Sequence, residues 1–140
     1  MNYNKPRAEK GQPDPRLLQF WHLFERQEFF ESHEVLEELW MVTSGGERNL
    51  YKGLIQIAVS LHHLCEGNLR GARKVFNTAR DLLVPYQPSA GGVRLDRLVR
   101  DASENIERHE RVAREGGEAG DVEVRPVYEP PGGSDLQHGS

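Results

Sequence analysis

Between Glu47 and Glu66 the chain carries Leu50, Leu54, Ile57, Leu61 and Leu64 at intervals of three and four residues, with Ala58 and Cys65 beside them. At about 100° per residue these side chains share one face of a helix, whereas a strand, with its period of two, would scatter them over both faces. The stripe predicts a central core helix, with Cys65 as a small residue on its buried side. Gly67 follows, a residue that tolerates positive φ, and Asn68 can cap a second helix. That helix presents Leu69, Ala72, Val75, Phe76, Ala79 and Leu83 before Pro85 stops it. So short a connection makes the two helices antiparallel neighbours. Ala72, Phe76 and Ala79 stand at tetratricopeptide-like intervals, but no second copy follows at a period of about 34 residues, so a single hairpin is expected.

Three further helices read out of the remaining sequence. Asp14 and Pro15 form an N-cap with proline at the first helical position, and Leu17, Phe20, Trp21 and Phe24 recur on one face up to about Arg26. A second segment, Phe29 to about Val42, carries Leu36, Leu39 and Trp40 and is ended by Thr43-Ser44-Gly45-Gly46. The last, after YQPSAGG, turns Leu95, Leu98, Val99, Ala102 and Ile106 inward and a mixed Arg and Glu face outward. The expected fold is all-α, a compact bundle of about five helices around the central hairpin. Residues 14–114 form the helical domain; 1–13 and 115–140, rich in Gly, Pro and charge, read as flexible tails. Val122, Val124 and Val127 alternate, but Pro126 and Pro130 restrict any strand there to a short edge.

A chain of 140 residues has material for one domain with one modest core. Lys and Arg total 18 against 22 Asp and Glu, a formal net charge of -4, which lacks the basic excess that phosphate neutralisation requires and so argues against nucleic acid. The apolar stretch from Leu54 to Leu64 is interrupted by Gln56, Ser60, His62 and His63 and falls short of the roughly 20 residues needed to cross a bilayer. The polar N-terminus has no signal core, and the single cysteine excludes an intrachain disulfide. The expected place is the cytoplasm. Gly45-Gly46 and Gly91-Gly92 lack a phosphate-loop context and are read as turns.

The chemistry-bearing run is FFESHEVLEELW, residues 29–40. His33 falls within roughly 40° of Phe29 and Trp40 on the helix wheel, with Glu37 one turn later at the margin of the same face. Buried ionisable groups need partners. One reading makes His33 and Glu37 a structural hydrogen-bonded pair. Another makes them two ligands of a divalent metal such as zinc, completed by His63 from the next helix, with Glu34 as general base on the bound water of a hydrolase. The pattern is His-Glu-x-x-Glu and lacks the second histidine of the zinc-protease motif. His62 lies at the edge of the leucine stripe, and His63 shares a side with Gln56 and Ser60. A third reading leaves a polar binding pocket of His33, Glu37, Trp40, Gln56 and His63.

That run, followed by YKGLIQIAVSLHHLCEGNLRGA, resembles the family of uncharacterised bacterial and archaeal helical proteins called domain of unknown function 309, over about Phe20 to Leu83. The family pattern maps onto His33, Glu34, Glu37, Trp40, Gln56, His63, Gly67, Asn68 and Ala72. The resemblance implies a small all-α fold and brings no assigned activity. The expected function is a helical binding or scaffold protein for a protein or small-molecule partner, with the metal-dependent hydrolase as the alternative. Phe20, Trp21, Phe24, Phe29, Phe30 and Trp40 leave two readings of assembly open: a homodimer that covers them, or packing within one chain.

Overall fold

The computed structural model describes residues 13–129. It holds α1 (Pro15–Glu25), α2 (Phe29–Met41), α3 (Arg48–Cys65), α4 (Leu69–Leu83) and α5 (Leu95–Glu115), with single 3-10 turns at Gly45–Glu47 and Val84–Tyr86. The only sheet among the described residues pairs β1 (Ser89–Ala90) with β2 (Val93–Arg94), antiparallel. The fold is all-α, as the periodicity requires. All of the N-terminal tail but Pro13, and residues 130–140, lie outside the described residues.

Local chemistry sets the helix ends. The Asp14 carboxylate accepts the Arg16 backbone N–H at 2.8 Å, and Pro15 occupies the first helical position. At the end of α3 the Gly67 N–H reaches Leu64 O at 3.1 Å and the Asn68 N–H reaches His63 O at 2.8 Å, a Schellman turn with Gly67 at φ +79°. Asn68 Oδ1 then accepts the Gly71 N–H at 2.9 Å and starts α4. The end of α1 repeats the turn without glycine: Gln27 N–H bonds Phe24 O, Glu28 N–H bonds Leu23 O, and Gln27 sits at φ +65°. Left-handed backbone costs a residue with a Cβ about 1 kcal/mol. The Gln27 amide offsets that cost, since its Nε2 donates to Val124 O at 3.0 Å and its Oε1 accepts from Val124 N at 3.1 Å.

Helix α3 lies at the centre, packed against α2, α4 and α5, and Leu54, Ile57, Ala58 and Leu61 on it are fully buried. Its most extensive interface is with α4. The two run antiparallel and in close contact where Gly53, early in α3, meets Leu83, late in α4: a Cβ on Gly53 would stand 2.6 Å from Leu83 Cδ2 and 2.8 Å from Cγ. Phe20, Trp21, Phe24 and Phe29 are buried within the single chain, with Phe20 and Trp21 edge to face at 4.7 Å and Phe24 and Phe29 at 5.1 Å. Trp21 Nε1 donates to Gly91 O at 2.8 Å. The aromatic core therefore needs no second copy to cover it, and of the six only Phe30, 44% exposed, stands largely open.

Two expectations are corrected. Cys65 is exposed, because it is the last residue of α3, where the chain turns away towards α4. Residues 116–129, read as tail, instead pack back on the helices as a strap, with Val124 and Pro126 buried. Apolar periodicity could not reveal this, because polar side chains hold the strap through its backbone. Asn105 on α5, 6% exposed, uses its whole amide: Nδ2 donates to Asp101 O and Glu123 O, and Oδ1 accepts from Glu123 N and Arg108 Nη2. Arg108 also reaches Ala119 O and Asp121 O. Arg94 N–H bonds Val127 O, and Tyr128 bridges to Val93.

Alanine is ordinarily the better helix former than glycine by about 1 kcal/mol. Gly53→Ala is nevertheless expected to destabilise by about 1–3 kcal/mol, because the added methyl overpacks the α3–α4 contact. Denaturant titration measures it, and an unchanged midpoint would show that α4 yields freely. The second expectation concerns α4 and α5, which Arg73 and Glu110 join through bonds of 2.9 and 2.8 Å. Arg73 holds the Glu110 carboxyl below the usual glutamate range. The pair's stabilisation is therefore present above the pKa of an unfolded glutamate and lost as pH falls through the lowered folded value. Glu110→Gln should flatten that part of the acid limb of a stability-against-pH curve.

Candidate functional site

The N-terminal half of α2 and the C-terminal half of α3 share a face on which three histidines and an exposed aromatic ring meet. His33 Nδ1 lies 2.5 Å from Phe30 O. A carbonyl only accepts, so Nδ1 carries the proton and Nε2 is left with a free lone pair when the ring is neutral. The Phe30 ring packs at 4.9 Å from the His33 ring and 5.1 Å from the His62 ring. His63 follows at 6.3 Å from His62, and its Nδ1 stands 3.4 Å from Asn68 Nδ2. The Asn68 amide is oriented by its own cap, with Oδ1 on Gly71 N–H, so Nδ2 donates and His63 Nδ1 accepts. The His63 proton is then on Nε2. His33 and His63 therefore hold opposite tautomers, one with an acceptor at Nε2 and one with a donor.

At the other end of α2 the Arg48 guanidinium lies 4.0 Å over the Trp40 ring, and its Nη1 donates to Trp40 O and Thr43 O, each at 2.9 Å. It caps the carbonyl end of α2 and stacks on the ring in one placement. Two side-chain atoms, Trp40 Nε1 on α2 and Gln56 Oε1 on α3, a donor and an acceptor, are buried without a hydrogen-bond partner among the described residues.

Glu37 and Glu34 are both exposed, and Glu37 makes no hydrogen bond or ion pair with His33. The expected His33–Glu37 pair is not formed. The cause is a rotation of the buried face. Phe29, Ser32, Leu36 and Leu39 are the buried residues of α2, and their centre puts Glu37 about 120° away at 100° per residue. The sequence centres the face on Phe29 and Trp40 because Ser32 reads as polar. Its hydroxyl, however, donates to Phe29 O at 2.8 Å and is satisfied without water. Nor do His33, Glu37 and His63 form the expected metal set: no group of three His, Cys, Asp or Glu among the described residues is arranged to hold a metal ion. What the structure does gather, and the sequence left unremarked, is Phe30 with His62, and Arg48 on Trp40. Phe30 stands one turn from His33 on α2 but 32 positions before His62 on α3, a separation that only the antiparallel pairing of α2 with α3 closes.

Comparison with known proteins places this face in a known sequence context. Residues 17–75 match the model of the family described as Domain of unknown function (DUF309). Over that segment the chain is similar to proteins of this family. It is also similar to an uncharacterised protein of Aquifex aeolicus (strain VF5), 38% identical over 53 residues that make up 37% of this chain and 16% of that protein. A second relative, the uncharacterised protein YpuF of Bacillus subtilis (strain 168), is 36% identical over 63 residues, 44% of this chain and 36% of YpuF. The chain thus spans well under half the length of either relative. The DUF309 match runs from α1 into the first half of α4 and includes His33, Glu34, Glu37, Trp40, Gln56 and His63. Helix α5 and the strap lie beyond it.

Within the matched segment, Arg48→Ala removes two hydrogen bonds to carbonyls at the end of α2 and the stack on Trp40. It is expected to lower stability by about 1–3 kcal/mol. Arg48→Lys keeps the charge, loses the planar fork, and should fall between the two in thermal unfolding.

Proposed function

We propose that this chain is a small helical binding module whose contact surface is the face shared by α2 and α3. The observation that supports this reading is Phe30, 44% exposed and held between the His33 and His62 rings. An apolar ring kept at the surface by two imidazoles offers a contact patch, and the opposite tautomers of His33 and His63 add an acceptor and a donor to its rim. No helix among the described residues is long and apolar enough to cross a membrane. The free thiol of the single cysteine supports a place inside the cell.

The test compares immobilised wild-type protein with a Phe30→Ala/His62→Ala variant in extract of the source cell, with both checked for helix content by circular dichroism. Selective retention of a protein or small molecule by the wild type, reduced at least fivefold in the variant, is the expected result. Equal retention by the folded variant would remove the assignment of this face.

A further inference from the structure

Between α4 and α5 lies an open surface groove of about 510 Å³ lined by Leu69, Arg70, Arg73, Lys74, Asn77 and Glu110. Its charges are unevenly committed. Arg73 is held by Glu110 in a two-point pair, Nε to Oε2 at 2.9 Å and Nη2 to Oε1 at 2.8 Å, and its Nη1 donates to Asn77 Oδ1 at 3.4 Å. The pair crosses from α4 to α5 and fixes the groove's wall. Arg70 and Lys74 are different: both are exposed, and neither side chain has an ion-pair or hydrogen-bond partner among the described residues. They stand four residues apart on one helix, which puts them on the same face one turn apart. Like charges so placed repel each other unless an anion lies between them. The chain carries a net charge of -4, yet the lining of this groove sums to three cations against one carboxylate.

We propose that this groove is a binding site for a small phosphate-bearing anion, with Arg70 and Lys74 as its ligating side chains and the Arg73–Glu110 pair as the wall that positions it. A phosphate accepts the planar fork of Arg70 on two oxygens and leaves a third for the point charge of Lys74, a division that a single planar carboxylate cannot match. Arg73 is the positioning residue. Its guanidinium is spent on Glu110, and Glu110, kept ionised by it, keeps the wall in place.

The experiment titrates the full chain with pyrophosphate, and in a second arm with citrate at equal ionic strength, following backbone amide shifts by NMR. Saturable shifts centred on residues 69–77 with pyrophosphate, at least fivefold tighter than with citrate, are expected. Arg70→Ala/Lys74→Ala should weaken pyrophosphate at least tenfold with an unchanged thermal midpoint, because both residues are exposed. Arg97→Ala/Arg100→Ala, which removes two cations from α5, should leave it unchanged. Shifts spread over all basic surfaces, equal weakening by the two double variants, or absence of saturation would each overturn the site. Citrate binding as tight as pyrophosphate would overturn the phosphate assignment.

Discussion

The close approach of α3 and α4 is the contact on which the rest of the molecule depends. Helix α3 buries residues on nearly all sides, so its neighbours must all find room, and α4 reaches it only because Gly53 has no side chain opposite Leu83. The Schellman turn at Gly67 returns the chain at once, and the Asn68 cap starts α4 with no intervening loop. With that hairpin fixed, α2 lies along a second side of α3 and the short elements after α4 fold back beneath α1, where Trp21 donates to Gly91 O.

A second layer of order comes from side-chain amides that imitate backbone. Gln27 and Asn105 each offer one donor and one acceptor to a single residue of the strap, Val124 and Glu123 respectively, as a neighbouring strand would. Each thereby satisfies peptide groups that would otherwise be buried without partners. Val124 can then be buried in a segment that forms no regular element. Gln27 accepts left-handed backbone to reach its position, and removing its amide would leave both the strain and the unpaired strap.

The candidate binding face follows from the same packing. Antiparallel α2 and α3 bring Phe30 to His62, although 32 positions of sequence separate them, and the cap of α4 orients Asn68 so that it fixes the tautomer of His63. The surface is thus a by-product of helix ends meeting. The groove between α4 and α5 arises in the same way, from one cross-helix ion pair flanked by cations that have no partner among the described residues.

The sequence by itself determined the helices. Apolar residues at intervals of three and four, Asp14 and Asn68 as caps, Gly67 after α3 and Pro85 after α4 located all five to within about two residues, because those signals act through the local backbone. It also located the stretch that carries His33, Trp40, Gln56 and His63. Only the tertiary structure decided which face α2 buries. Ser32 goes inside because its hydroxyl finds Phe29 O, and this turns Glu37 to solvent and separates the His33–Glu37 pair that the helix wheel allows. Cys65 is exposed because its helix ends there, and residues 116–129 are ordered by amides of Gln27 and Asn105 that are remote in sequence. Periodicity reports how a residue stands to its own helix. Burial and pairing depend on what the neighbouring element offers, and that is a property of the folded chain.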